Sequence, residues 1–376
     1  MLDPRAYWVG FNHVKGIGPT RLRALLGHFG DAETAWKASA NELLATGLGV
    51  KLVESILSAR SRISLEQVWG ELQANGVGVL IWDDENYPRR LKEIDQPPPV
   101  LYLRGDITST DEWAVAVVGT RRVTPYGRQI TEEVSSALAG SGVTVVSGLA
   151  RGIDSLSHKS ALEAGGRTIA VLGSGVDVIY PPEHGPLAER IVANGALVSD
   201  YPPGTQPDAV NFPPRNRIIS GLSLAVVIVE AGEKSGALIT GEFAADQGRD
   251  VYAVPGHIHA PQSIGCNRLI QQGARPLLDP KEILEALDLT MIYEHRSARR
   301  ALPANSTESQ LMEVVEHEPQ HVDEIIARMN LPVEQVTAAL ALMELKGMVK
   351  QVGGMRYVAV REIPTGYVQT GPDGDH

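Results

Sequence analysis

Between residues 113 and 289, short runs of apolar, often β-branched residues alternate with helical segments. Such runs are hydrophobic on both faces, which is typical of parallel strands covered by helices on both sides. The runs lie at residues 114–118, 143–147, 168–172, 196–199, 224–229 and 251–254. Two further β-rich runs, at 77–82 and 100–104, extend the sheet. The pattern predicts an α/β fold with an extended Rossmann-like parallel-sheet core over residues 76–290.

Residues 1–75 contain six short helical segments separated by glycines, which predicts a small all-helical N-terminal domain. In two places a Gly-x-Gly turn opens a helix, at Gly16-Ile17-Gly18 and Gly47-Leu48-Gly49. These turns resemble helix-hairpin-helix elements, in which amides at a helix N-terminus contact a DNA phosphate. Tight turns between packed helices would need the same glycines, so both interpretations remain open.

The C-terminal region, residues 306–361, has the order of a winged-helix domain. Helical patterns at 308–316, 322–329 and 333–346 precede a hairpin, 348–352 and 355–360, that turns at Gly353-Gly354. Residues 291–305 are expected to be a linker and residues 362–376 a disordered tail. Residues 306–360 contain eight acidic and four basic residues, so we expect this domain to contact protein rather than duplex DNA.

Composition excludes several classes of protein. The net charge of −11 and pI of about 5.4 argue against a protein that coats nucleic acid through its overall electrostatic field, so a DNA site must be a local cluster of cations.

A lone cysteine, Cys266, and the lack of a long apolar run predict a cytoplasmic protein without membrane contact. Dispersed histidines predict no metal site. Without a Walker or dinucleotide motif we expect no cofactor and no enzymatic activity.

Candidate binding residues follow the predicted strands. In parallel α/β sheets, ligands bind at the carboxyl ends of strands, where helix N-termini offer amides. The first and second strands end in the residues Gly119, Thr120, Arg121 and Arg122, and Ser147, Gly148, Leu149 and Arg151. Small residues let backbone amides approach an anion, and the arginines supply charge.

Two later segments add an aromatic ring and more cations. The first provides Phe212, Arg215, Asn216 and Arg217, and the turn after the fifth strand provides Lys234, Ser235, Gly236 and Thr240. Cations beside an aromatic ring suit single-stranded DNA, because they bind the backbone while the ring stacks on an unpaired base. A structural alternative for one arginine is that Arg217 pairs with an internal carboxylate such as Glu230.

Catalytic alternatives have weaker support. Ser147, Asp154 and His158 suggest a hydrolase, but Ser147 is not in a Gly-x-Ser-x-Gly elbow, and the spacing of Asp154 and His158 is typical of a local pair on a helix. A nucleotide-cleaving Rossmann enzyme of the phosphoribohydrolase (lysine-decarboxylase-like) type would need Pro-Gly-Gly-x-Gly-Thr-x-x-Glu where this chain has residues 230–236. Its catalytic glutamate is absent, which leaves Glu230 as the residual candidate.

Several motifs together resemble the DprA/Smf family of DNA-processing proteins, over most of residues 80–290. They are Val118-Gly119-Thr120-Arg121, Ser147-Gly148-Leu149-Ala150-Arg151-Gly152-Ile153-Asp154, Phe212-Pro213-Pro214-Arg215-Asn216-Arg217-Ile218-Ile219 and Ser235-Gly236-Ala237-Leu238-Ile239-Thr240. The match continues through Tyr252-Ala253-Val254-Pro255-Gly256 and Gly265-Cys266-Asn267-Arg268.

The resemblance implies a homodimer that binds single-stranded DNA and delivers it to the recombinase RecA during natural transformation, past single-strand-binding protein. It also implies DNA contacts by Arg121, residues 147–149, Phe212, residues 215–217 and the turn at Ser235-Gly236. Asp200 stands where the family commonly has glutamate, and His184 where it has asparagine. We expect neither departure to affect the basic residues.

Overall fold

The computed structural model describes residues 2–287, 307, 310–311, 314–315, 320–329, 331–345, 349–352 and 355–359. The chain divides into two compact units, one ending at Thr290 and the other beginning at Met291. The predicted linker at 291–305, the tail at 362–376 and the turn at Gly353-Gly354 lie outside the described residues, as does most of the helix predicted at 308–316.

The first unit contains a nine-stranded sheet in the order β1-β2-β6-β5-β4-β3-β7-β8-β9. Strands β3 to β9 are parallel to one another, whereas β2 pairs antiparallel with β6 and β1 pairs antiparallel with β2. The Rossmann-like core predicted from the apolar runs is therefore confirmed. The strands are β1 (Gly78–Ile81), β2 (Val100–Gly105), β3 (Ala114–Val118), β4 (Thr144–Ser147), β5 (Thr168–Val171), β6 (Gly195–Ser199), β7 (Ala225–Ile228), β8 (Asp250–Ala253) and β9 (Arg275–Pro276).

The order of strands places a crevice beside β3. From β3 the chain builds β4, β5 and β6 on one side and then returns to build β7 and β8 on the other. Connections that leave in opposite directions open a space at the carboxyl ends of β3 and β7, where open α/β sheets bind their ligands. The loops after these strands stay close, since the amide of Thr120 donates to the carbonyl oxygen of Glu230 at 2.8 Å.

Within residues 2–287, six helices precede the sheet, the number expected from the glycine-separated segments, and eight more alternate with the strands. The first six share the hydrophobic core of the sheet. Trp8 packs edge-on against Trp82 with ring centroids 5.6 Å apart, and the Tyr102 hydroxyl donates to the Asn12 side-chain oxygen at 2.9 Å. The helices are α1 (Arg5–Asn12), α2 (Pro19–Phe29), α3 (Ala32–Lys37), α4 (Ala40–Ala45), α5 (Val50–Arg62), α6 (Leu65–Ala74), α7 (Arg89–Lys92), α8 (Pro125–Gly140), α9 (Ile153–Glu163), α10 (Gly185–Ala193), α11 (Phe212–Gly221), α12 (Gly236–Asp246), α13 (Ile264–Gln271) and α14 (Lys281–Ala286).

The second unit has its own small core. Helices α15 (Val322–Met329) and α16 (Val333–Leu345) pack with a sheet of β10 (Gln320–His321), β11 (Val349–Gln351) and β12 (Arg356–Ala359). Strands β11 and β12 form the predicted hairpin, and β10 pairs with the other edge of β12. The winged-helix prediction is thus confirmed. Across the described residues, no helix combines the length and apolar character needed to cross a membrane.

Candidate nucleic-acid interface

A cleft of about 720 Å³ opens at the carboxyl ends of β3 and β7. Its walls come from the loops that follow these two strands and from the first turns of α11 and α12. Eleven of the sixteen residues selected from the sequence line it, namely Gly119, Thr120, Arg121, Arg122, Phe212, Arg215, Asn216, Lys234, Ser235, Gly236 and Thr240. The fold therefore gathers segments more than a hundred residues apart into one site.

The cleft is positively charged although the chain as a whole is acidic. Among the residues that the structure describes, four cations line it, against a single carboxylate, that of Asp154. Arg121, Arg122 and Lys234 are exposed, and none of them forms an ion pair with any residue that the structure describes. These three cations are therefore available to an anion from outside the protein, and the low dielectric of the cleft walls focuses their field.

An aromatic ring lies among these cations. The guanidinium carbons of Arg121 and Arg215 are 5.7 Å and 5.9 Å from the centroid of the Phe212 ring. The Tyr180 ring lies 5.9 Å from it, centroid to centroid, at an interplanar angle of 36°. Cation–π contacts of this kind hold the guanidinium groups against the ring without consuming their hydrogen-bond donors.

Arg215 forms the floor of the cleft. It is only 5% exposed, its Nη2 donates to the carbonyl oxygen of Gly148 at 3.2 Å, and its Nε has no hydrogen-bond partner among the described residues. Burial lowers the pKa of Arg215 to about 10, and the nearby carboxylate of Asp154 opposes that shift. A Cβ at Gly148 would lie 1.8 Å from Nη1 of Arg215, so only glycine leaves room for the guanidinium.

Arg217, selected from the sequence as a DNA-binding residue, is not free to meet a ligand. Its Nη2 donates to Oδ2 of Asp200 at 2.8 Å, and the two side chains are only 15% and 14% exposed. The alternative that Arg217 pairs with an internal carboxylate is therefore confirmed, although the partner is Asp200 rather than Glu230. The expectation that Asp200 has no bearing on the basic residues was wrong, because Asp200 holds one of them.

The four residues selected at the end of β4 and in the loop after it do not line the cleft, although Ala150 of the same loop does. The Ser147 hydroxyl, expected to reach a ligand, is buried and donates to the carbonyl oxygen of Val117 at 2.7 Å. Leu149 is fully buried with φ of 57°, a left-handed conformation that few non-glycine residues adopt. Arg151 is exposed and paired with Glu183 at 2.6 Å. Gly148 and its neighbours thus position Arg215 and the backbone turn.

The first turn of α12 supplies the opposite wall. Ser235 caps this helix by accepting from the Ala237 amide at 3.4 Å, and Asn216 donates to the carbonyl oxygen of Gly236 at 3.2 Å. Thr240 is buried one turn further along, while Lys234 is exposed just before the helix begins. The positive end of the helix dipole therefore adds to the charge of Lys234 in favouring an anion here.

The residues that suggested a catalytic site form hydrogen bonds within the protein instead. Glu230 is buried and accepts hydrogen bonds from the backbone amide, at 3.0 Å, and the hydroxyl of Thr124 at the start of α8. The predicted local pair of Asp154 and His158 was wrong. Nδ1 of His158 lies 2.6 Å from the Thr168 hydroxyl, and Asp154 accepts instead from the Ala150 amide at 3.4 Å. Among the described residues, no group of three histidine, cysteine or acidic side chains is placed to hold a metal ion.

Comparison with known proteins agrees with this geometry. Residues 78–288 match the family model described as DNA recombination-mediator protein A, and residues 295–355 match that of the DprA winged helix domain. The chain belongs to the DprA/Smf family. Family membership assigns it to DNA-processing proteins rather than to nucleotide-cleaving enzymes, so the phosphoribohydrolase alternative is set aside.

Members of the DprA/Smf family match this chain over much of its length. It is 38% identical over 390 residues to protein Smf of Synechocystis sp., covering 94% of this chain and 98% of the relative. Among solved structures, DNA processing protein A of Streptococcus pneumoniae superposes with a TM-score of 0.67 at 33% identity, covering 74% of this chain and 97% of the other. The Helicobacter pylori protein, described for its unique single-stranded DNA binding mode, has a TM-score of 0.51 at 31% identity, covering 56% and 95%.

One prominent residue of the cleft in this DprA/Smf-family chain was not selected from the sequence. Tyr180 lines the cleft and is 39% exposed. It lies in the loop after β5, beyond the turn Gly173-Ser174-Gly175, and nothing in that turn indicates that the chain folds back toward Phe212. The only available signal was an aromatic residue in a loop after a parallel strand, where ligand contacts concentrate.

Proposed function

We propose that this protein binds single-stranded DNA in the cleft between the loops after β3 and β7. The observation that carries the proposal is the set of exposed cations without ion-pair partners, Arg121, Arg122 and Lys234, beside the Phe212 ring. The similarity to the Helicobacter pylori protein supports it, since that relative binds single-stranded DNA.

Each part of the cleft suits one part of a nucleotide. The exposed cations and the first turn of α12 bind successive phosphates, and the contacting rings of Tyr180 and Phe212 form an aromatic platform for a base. In a duplex the bases are stacked on one another and their flat faces are inaccessible, so an aromatic platform favours unpaired strands. Local neutralisation of phosphates by an acidic protein also makes binding strongly dependent on salt.

The finer roles implied by the resemblance are part of the proposal. We propose that the protein acts in the cytosol as a homodimer and loads RecA onto incoming single strands, past single-strand-binding protein, during natural transformation. The family description as a recombination mediator supports a role of this kind. Assembly of RecA filaments on strands coated with single-strand-binding protein, measured with and without this protein, tests it. Equal rates of assembly would contradict the mediator role while leaving DNA binding intact.

The DNA-binding proposal is tested by fluorescence anisotropy with a labelled oligonucleotide of about 20 residues, long enough to span a site of several nucleotides. We expect the single strand to bind at least tenfold more tightly than the duplex of the same sequence, a difference of about 1.4 kcal/mol or more. Equal affinity for the two forms would contradict a site built around unpaired bases.

A further inference from the structure

The Phe212 ring is enclosed by its neighbours. Arg121, Arg215 and Tyr180 all lie within 6 Å of its centroid. A fourth side is closed by backbone, since a Cβ added to Gly173 would lie 2.8 Å from Cδ1 of Phe212. A base needs an open aromatic face to stack on, and the surroundings of Phe212 leave little of one.

Tyr180 presents the exposed aromatic surface of the cleft. Tyr180 is 39% exposed, whereas Phe212 is less accessible. No described residue forms a hydrogen bond with the Tyr180 hydroxyl. The Phe212 ring, whose centroid is 5.9 Å from that of Tyr180, supports Tyr180 from one side. The rest of the Tyr180 ring faces the cleft. An exposed aromatic ring beside unpaired cations offers an unpaired base a flat surface to stack on while the cations bind the phosphates.

We infer that Tyr180 is the residue that stacks on an unpaired base, and that Phe212 acts as its support. Phe212 then has two tasks, to brace Tyr180 and to hold the guanidinium groups of Arg121 and Arg215. This inference rests on the proposed binding of single-stranded DNA and goes beyond it by naming the base-contacting residue. It also divides the cleft, with base contacts at Tyr180 and phosphate contacts at the cations.

Tyr180 also indicates where the bound single-stranded DNA leaves the cleft. Glu183, three residues further along the chain, pairs with Arg151, which is exposed and lies outside the cleft. A strand that passes over the Tyr180 ring therefore comes near the Arg151–Glu183 pair, whose 2.6 Å contact is at the surface and is easily exchanged for a phosphate. Arg151 thus belongs to the strand's path, although it does not line the cleft.

The test compares Tyr180→Leu and Tyr180→Phe in the full chain, with Tyr126→Leu as the matched control. Tyr126 is 46% exposed and lies outside the cleft. Affinity is measured for a labelled thymidine oligomer of about 20 residues and for an abasic oligomer of equal length, which keeps the phosphates but offers no base to stack on. Thermal unfolding of each variant verifies the fold.

We expect Tyr180→Leu to bind the thymidine oligomer about tenfold more weakly, corresponding to about 1.4 kcal/mol. Tyr180→Phe and Tyr126→Leu should bind like the wild type, and all four proteins should bind the abasic oligomer equally. An unchanged Tyr180→Leu, or a loss that is equal on both oligomers, overturns the role of Tyr180. A wild-type protein that fails to bind the thymidine oligomer contradicts the proposed function itself.

Discussion

Arg217 donates a hydrogen bond of 2.8 Å to Asp200, and both side chains are largely buried. Burial raises the pKa of Asp200, while the charge of Arg217 acts in the opposite direction and favours the carboxylate. The second Arg217 nitrogen, Nη1, and the second Asp200 oxygen, Oδ1, have no hydrogen-bond partner among the described residues. Each charge is therefore compensated chiefly by the other, and Arg217 holds the first turns of α11 to the end of β6.

This pair makes Arg217 more important for stability than for DNA binding. Arg217→Ala leaves the Asp200 carboxylate buried without its partner, which costs about 3–5 kcal/mol in the free energy of unfolding. Urea denaturation measures the loss. The double variant Arg217→Ala/Asp200→Asn should recover part of it, because neither charge then remains unpaired. A single variant as stable as the wild type would show that the pair contributes nothing.

Gly148 should be needed for the floor of the cleft. In Gly148→Ala the new Cβ would overlap Nη1 of Arg215, so the guanidinium would have to leave its buried position on the floor of the cleft. We expect about tenfold weaker binding of single-stranded DNA, or about 1.4 kcal/mol, together with a loss of stability of about 1–3 kcal/mol from overpacking. Gly140→Ala is the control, since a Cβ there meets nothing within 4 Å. Normal DNA affinity in folded Gly148→Ala would remove Arg215 from the site.

His158 should make the protein less stable in mild acid. Burial lowers the pKa of His158 to about 3, from 6.5 in the unfolded chain. The unfolded state therefore gains a proton first as the pH falls below 6.5, and folding loses stability through the window down to about 3. Between pH 7.5 and 5.0 this amounts to about 2 kcal/mol.

The variant His158→Asn removes this titration while the other ionisable groups remain. Its unfolding free energy, measured with urea at both pH values, should fall by about 2 kcal/mol less than that of the wild type. The absolute stability of the variant does not enter the comparison, only the change between the two pH values. Identical changes in the two proteins would show that His158 is not buried as a neutral ring.

Local sequence patterns were sufficient for the fold because they act within single elements. The run Ala114–Val118 is apolar at every position and became β3, buried throughout. The pairing of Arg217 with Asp200 could not be predicted in this way, since it depends on how the end of β6 meets α11. Tyr180 was missed for the same reason: its role follows from a contact with Phe212 across 32 positions of sequence, which no periodicity records.

The winged-helix unit should contribute little to the DNA affinity. Residues 306–360 contain twice as many acidic as basic residues, and α16 exposes Glu334 and Glu344. We expect deletion of residues 300–376 to change the single-strand affinity by no more than about twofold, or about 0.4 kcal/mol. A tenfold loss of affinity in a truncated protein that is still folded and dimeric would show that this unit contributes to DNA binding despite its acidic charge.

The most direct test of the DNA site is the salt dependence of single-strand binding in the wild type and in Arg121→Ala. Anisotropy titrations between about 50 and 200 mM sodium chloride give the slope of log affinity against log salt, which changes by about 0.7 for each phosphate contact of a single strand. Arg128→Ala is the control, because Arg128 is equally an exposed arginine but lies on α8 outside the cleft. We predict that Arg121→Ala weakens binding and flattens the slope by about 0.7 while Arg128→Ala changes neither. The same slope in all three proteins would contradict the binding of DNA phosphates in this cleft.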